Sequence, residues 1–150
     1  MKDLTTEDLL YIAGKLGFKI NGVYCRDDKY KIKNGCYIIN LDSNKIMEGT
    51  HWTAFYKDGN TINYFDSFGF PPPEDTLKQL KNNCTNGFYN DIEYQSLNTN
   101  TCGLFCIYFL LCMVNKYSFY DFLYNVLQPF KTSYNEDLIH KLFIDNHVID

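Results

Sequence analysis

The sequence predicts an α+β fold. Two β-rich runs joined by a turn, His51 to Lys57 and Asn60 to Asp66, form an antiparallel hairpin. A segment apolar on every side, Cys102 to Val114, is a helix buried at the centre of a domain. Amphipathic helical patterns flank both at the two ends of the chain.

The elements follow in order. Thr5 and Thr6 offer N-caps, Glu7 and Asp8 fall in the first turn, and Gly17 is a stop, which bounds a helix over residues 6 to 16. Lys19 to Lys33 reads as loop with room for one short strand, and Cys36 to Leu41 is a strand. In the hairpin, Asp58 and Gly59 both tolerate positive φ and are expected as its two turn residues. Lys57 then faces Asn60, Phe55 faces Ile62, and His51 faces Asp66. Ser67 to Pro73 is a rigid loop, and Glu74 opens a short helix to Asn82 behind a proline. Asn82 to Asn90 is turn-rich and Asp91 to Ser96 is a strand. Asn98 to Thr101 is a polar cluster ahead of the apolar helix. Two final helices carry capping-box patterns, Ser118 with Asp121 and Ser133 with Glu136.

With 150 residues and 17.6 kDa the chain is expected to be one domain, residues 1 to 150, and 45% hydrophobic residues are enough for a core. A formal charge of −4 gives no basic footprint for nucleic acid. Neither a signal peptide nor a membrane span is expected: the start has no apolar stretch, and the run Leu104 to Val114 is about half the ~20 residues a span needs. The six cysteines are expected mostly as free thiols, and their spacing gives no metal site.

Cys102 carries the chemistry. At the first turn of a helix it sits at the positive end of the macrodipole, where a thiolate is favoured. Cys106 and Cys112 lie deeper and act as small hydrophobes. A thiolate nucleophile needs a base to hold its proton and a carboxylate to orient the base; the hairpin supplies His51 and Asp66. Gln95, just ahead of the helix, and the N–H of Cys102 are candidate donors to an oxyanion. These residues describe acyl transfer to Cys102 followed by hydrolysis. Trp52 beside the histidine is expected either as packing or as a wall of the substrate channel. His140 and His147 are expected as solvated residues of the last helix and its end.

Four ordered boxes resemble those of the adenain family of adenovirus-type maturation proteases. They are Gly49-Thr50-His51-Trp52, Tyr64-Phe65-Asp66-Ser67-Phe68-Gly69, Gln95, and, seven residues after it, Cys102-Gly103-Leu104-Phe105-Cys106. Gly22-Val23-Tyr24, Ile38 to Asp42 and Pro71-Pro72-Pro73 resemble more closely the adenain-like proteases of Polinton elements and virophages. The resemblance implies a papain-like cysteine protease in permuted order, a mixed sheet holding His51 and Asp66 against a central helix that begins at Cys102. It implies cleavage of viral capsid precursors after Gly-containing sites by a monomer, in the host cytoplasm or viral factory and within the virion.

The family's Cys eighteen positions before the nucleophile, which forms a disulfide with an activating peptide, is matched by Cys84. Where adenain has Glu this chain has Asp66, the form common in the related SUMO proteases of the Ulp type. Adenain is basic and uses DNA as a cofactor; the acidic balance here speaks against that. Two other functions stay open. One is a SUMO or ubiquitin-like deconjugating protease, disfavoured because the Ulp-type pattern usually spaces its Gln and Cys by six and has Asp where Thr101 stands. The other is a non-enzymatic capsid-assembly module with a degenerate protease fold.

Overall fold

The computed structural model describes residues 3–42, 51–146 and 148. Helix α1 spans Thr6–Leu16, held by a reciprocal capping box between Thr5 and Asp8 and closed by Gly17. Strands β1 (Ile20–Cys25), β2 (Gly35–Asn40), β3 (Trp52–Asp58) and β4 (Thr61–Phe65) follow, then α2 (Glu74–Lys81) and β5 (Asn86–Tyr89). Helix α3 spans Cys102–Val114. A short α4 (Phe119–Asp121) widens into a π turn, and α5 (Thr132–Ile139) does the same over His140–Asp145. No helix among the described residues is long and apolar enough to cross a membrane.

The five strands form one mixed sheet in sequence order: β1 parallel to β2, β2 to β3 and β3 to β4 antiparallel, β4 parallel to β5. Alternation sends Cys36, Ile38, Trp52, Ala54 and Phe65 to one face, where α1, α3 and the C-terminal helices cover them. It sends Tyr37, Ile39, Phe55, Ile62 and Tyr64 to the other, where Leu80 of α2 and Ile32 close a second core. The middle strands are therefore buried on both faces, which is why β2 reads as a continuous apolar run. Phe65, Phe109 and Phe122 pack ring to ring between sheet and helices, at 5.1 to 5.5 Å between centroids.

Three expectations need correction. The hairpin turns at Gly59-Asn60, one residue later than expected, with Gly59 at φ +61° and pairs Asp58 to Thr61 and Phe55 to Tyr64. Such a slip moves each partner by two positions, which preserves faces; His51 and Asp66 remain on one side, diagonal instead of opposite. The stretch from 91 to 96 is not a strand. Its polar groups go elsewhere, the N–H groups of Tyr94 and Gln95 to the Ser67 carbonyl and the Glu93 carbonyl to Phe130, while Asn86–Tyr89, inside the turn-rich stretch, joins the sheet. Finally, α5 begins at Thr132 with Lys131 as cap, so Ser133 does not cap it and Glu136 is free for another partner. Gly49, Thr50 and His147 lie outside the described residues.

Candidate active site

The four site residues singled out in the sequence converge at one end of the sheet. His51 directly precedes β3, its carbonyl tied by the Leu41 N–H. Asp66 directly follows β4 and is fully buried. His51 Nε2 and Asp66 Oδ1 are 2.7 Å apart. That same oxygen accepts the Phe68 N–H at 2.8 Å, and Asn90 clamps the Asp66 backbone, accepting its N–H and donating to its carbonyl. The loop can fold this tightly because Gly69 takes φ +86° with its Cα against the Ile92 backbone.

Cys102 is the first residue of α3. The Trp52 N–H lies 3.5 Å from its sulfur, which ties the thiol to the residue after His51. Burial works against a charged His51, but hydrogen bonds and charges from Asp66 and Cys102 outweigh it and hold the imidazolium up to about 9. Nε2 is engaged by Asp66, and Nδ1 is buried and makes no hydrogen bond. Phe68 stacks on the imidazole at 4.2 Å between centroids and shields the pair from water. A second carboxylate, Asp42, is raised by burial and lowered in part by the His51 charge. The remaining core thiols are set apart: burial pushes Cys36 and Cys112 up to about 12 and Cys106 well above its ordinary value.

Gln95 is fully buried beside the start of α3. Its hydrogen bonds are best satisfied with the nitrogen donating to Ser67 Oγ and the oxygen accepting from Thr99 Oγ1 at 2.9 Å and from the N–H groups of Thr101 and Cys102, each at 3.2 Å. With the amide turned over, the hydroxyls still serve it, Ser67 by donating and Thr99 by accepting. A half-turn would give up that cap and turn the nitrogen toward the Thr101 and Cys102 N–H groups, where it also donates to the Thr99 carbonyl at 3.3 Å. The second arrangement is the one an oxyanion requires.

Two residues fall outside this cluster. Trp52 has its ring in the core, 4% exposed, with Nε1 donating to the Leu4 carbonyl, so it packs and does not wall an open channel. Cys84 sits past the end of α2, its thiol 3.2 Å from the Leu80 carbonyl, on a cavity of about 360 Å³ lined by Ile62, Tyr64, Leu77 and Phe88. Among the described residues no group of three or more His, Cys, Asp or Glu could hold a metal ion. Sequence reasoning passed over Asn90, Ser67 as a partner of Gln95, and Phe68. The last two lie inside the motif that carries Asp66; nothing local marks Asn90, which acts across 24 residues of chain.

No protein-family model and no curated protein sequence matches the chain. Among solved structures it is similar to the crystal structure of the ASFV pS273R protease, with 16% identity and a TM-score of 0.50 over 72% of this chain and 41% of that one. A selenomethionine crystal structure of the same protease gives 20% identity and a TM-score of 0.43 over 61% of this chain and 39% of that one. The chain therefore spans about two-fifths of the protease it matches. The α+β fold is shared with that protease.

Proposed function

We propose that the chain is a cysteine endopeptidase that cleaves viral capsid precursors, with Cys102 as nucleophile, His51 as base and Asp66 as its orienting carboxylate. The observation that carries the catalytic part is a buried ring held by Asp66 Oδ1 at 2.7 Å, directly before Trp52, whose N–H donates to the Cys102 sulfur at 3.5 Å. His51 takes the thiol proton, and the sulfur attacks the scissile carbonyl. Once the Gln95 amide turns over and releases the Cys102 N–H, that N–H and Gln95 Nε2 stabilise the oxyanion, and the imidazolium returns its proton to the leaving amine. Water then hydrolyses the thioester with His51 as base. The shared fold of the ASFV protease supports peptide-bond chemistry; the capsid substrates rest on the four boxes that resemble the adenain family. A peptide activator disulfide-linked at Cys84 belongs to the same proposal, with no requirement for DNA or a metal.

The test is cleavage profiling on a peptide library, wild type beside Cys102→Ala. The expected result is cuts after Gly with a small neighbour and an aliphatic residue upstream, absent from the variant. Processing confined to ubiquitin-like proteins ending in Gly-Gly would make it a deconjugating protease. No cleavage, together with no selective alkylation of Cys102, would make it an assembly module.

A further inference from the structure

Two neighbouring residues of α5 reach the two polypeptide segments that meet at the proposed oxyanion site. Asn135 is fully buried, and its Nδ2 donates to the Tyr94 carbonyl at 3.1 Å, the carbonyl of the peptide unit that bears the Gln95 N–H. Glu136 accepts the Thr101 hydroxyl, at 2.6 Å to one carboxylate oxygen and 2.8 Å to the other. Thr101 directly precedes Cys102, and although it stands at the N-cap position its side chain makes no cap bond to the helix; the hydroxyl is spent on Glu136. One residue of the clamp thus holds the segment before each oxyanion donor. Neither bond is within an element or between neighbours in sequence: they span 41 and 35 residues.

The anchor is itself fixed. Asn135 also accepts the Gln128 N–H and donates to the Gln128 carbonyl, each at 2.8 Å, so both its N–H groups and its oxygen are engaged and its orientation is unique. On the outer side, His140 lies one helical turn from Glu136, its Nε2 3.6 Å from the carboxylate. Thr101 is 2% exposed, so its tie to Glu136 is shielded from competing water.

We infer that Asn135 and Glu136 are positioning residues for the oxyanion hole: they set the spacing between the Gln95 side chain and the Cys102 N–H from behind, and touch neither substrate nor thiol. The inference rests on the catalytic reading of Cys102 above. With α5 capped at Lys131, Glu136 is used across the fold and not in a capping box with Ser133.

Two reagents separate this role from general damage. Iodoacetamide alkylates a thiolate without passing through an oxyanion. p-Nitrophenyl acetate acylates it through a tetrahedral oxyanion, with formation of the S–C bond, release of p-nitrophenolate and the thiol proton left on His51. Both rates are measured at Cys102, by the nitrophenolate burst and by mass spectrometry, in the wild type, Thr101→Val, Glu136→Ala and Glu136→Gln. Glutamine keeps an acceptor for the Thr101 hydroxyl. In Thr101→Val and Glu136→Ala the acylation rate is expected to fall about tenfold or more relative to alkylation, less than the ~10²–10³ of deleting a donor outright, and Glu136→Gln restores most of it. Equal loss of both rates, or no change in their ratio, would overturn the clamp. A wild type that neither alkylates nor acylates selectively at Cys102 would instead overturn the catalytic reading.

Discussion

His51 is pulled two ways, by burial that disfavours its charge and by a carboxylate and a thiol that favour it, and the partners win. The sign of the consequence is fixed by linkage. A folded-state value of about 9 above an ordinary value of 6.5 means that the charged ring stabilises the fold fully below about 6.5, a contribution lost as pH rises through about 9. Asp66→Asn removes the carboxylate charge and leaves only Cys102 to oppose burial. The His51 titration followed by NMR is then expected to move down from about 9 by a unit or more, and the stability gap between wild type and variant, widest near pH 6, to narrow above pH 9. An unchanged midpoint would mean that Asp66 does not hold the ring. At this scale the sequence picked out residues that the fold brings together, His51 bonded to Asp66 and Gln95 against the first turn that Cys102 opens, because residue type and order are read directly from the chain.

At the scale of elements the sequence was readable where a local signal decides the outcome. The Thr5 cap and the Gly17 stop bound α1, and thirteen successive residues with scarcely a polar face bound α3. It misled where long-range hydrogen bonds decide. The run from 91 to 96 has the composition of a strand, yet Ser67, Phe130 and Asn135 take up its backbone groups. The exposed Asn86–Tyr89 pairs simply because β4 presents an open edge. The hairpin slipped by one residue because Gly59-Asn60 satisfies the turn as well as Asp58-Gly59 does, and only the packed faces, unchanged by that slip, were specified. Gly69 links the element to the site. A Cβ there would lie 2.7 Å from the Ile92 carbonyl carbon at a backbone angle that L residues rarely adopt. Gly69→Ala is therefore expected to cost about 1–3 kcal/mol in thermal unfolding and to slow Cys102 alkylation by displacing Asp66; a melting temperature equal to wild type would contradict this placement of the loop.

On the scale of the whole molecule, a sheet cored on both faces provides the rigid support, and the site forms where the ends of β3 and β4 meet the first turn of the most buried helix. The fold thereby distributes six free thiols over distinct surroundings: Cys36, Cys106 and Cys112 in the main core, Cys25 beside Asp28, Cys84 on the α2 cavity, and Cys102 at the start of α3 against the Trp52 N–H. These thiols are built-in reporters of the central claim that the ring activates one of them. The decisive measurement is site-resolved iodoacetamide labelling of all six between about pH 5 and 9, wild type beside His51→Ala. The account predicts that Cys102 labels fastest well below pH 8 despite its burial and loses that lead without His51. Labelling of Cys102 no faster than Cys25 or Cys36, or a lead that survives the loss of His51, would contradict it.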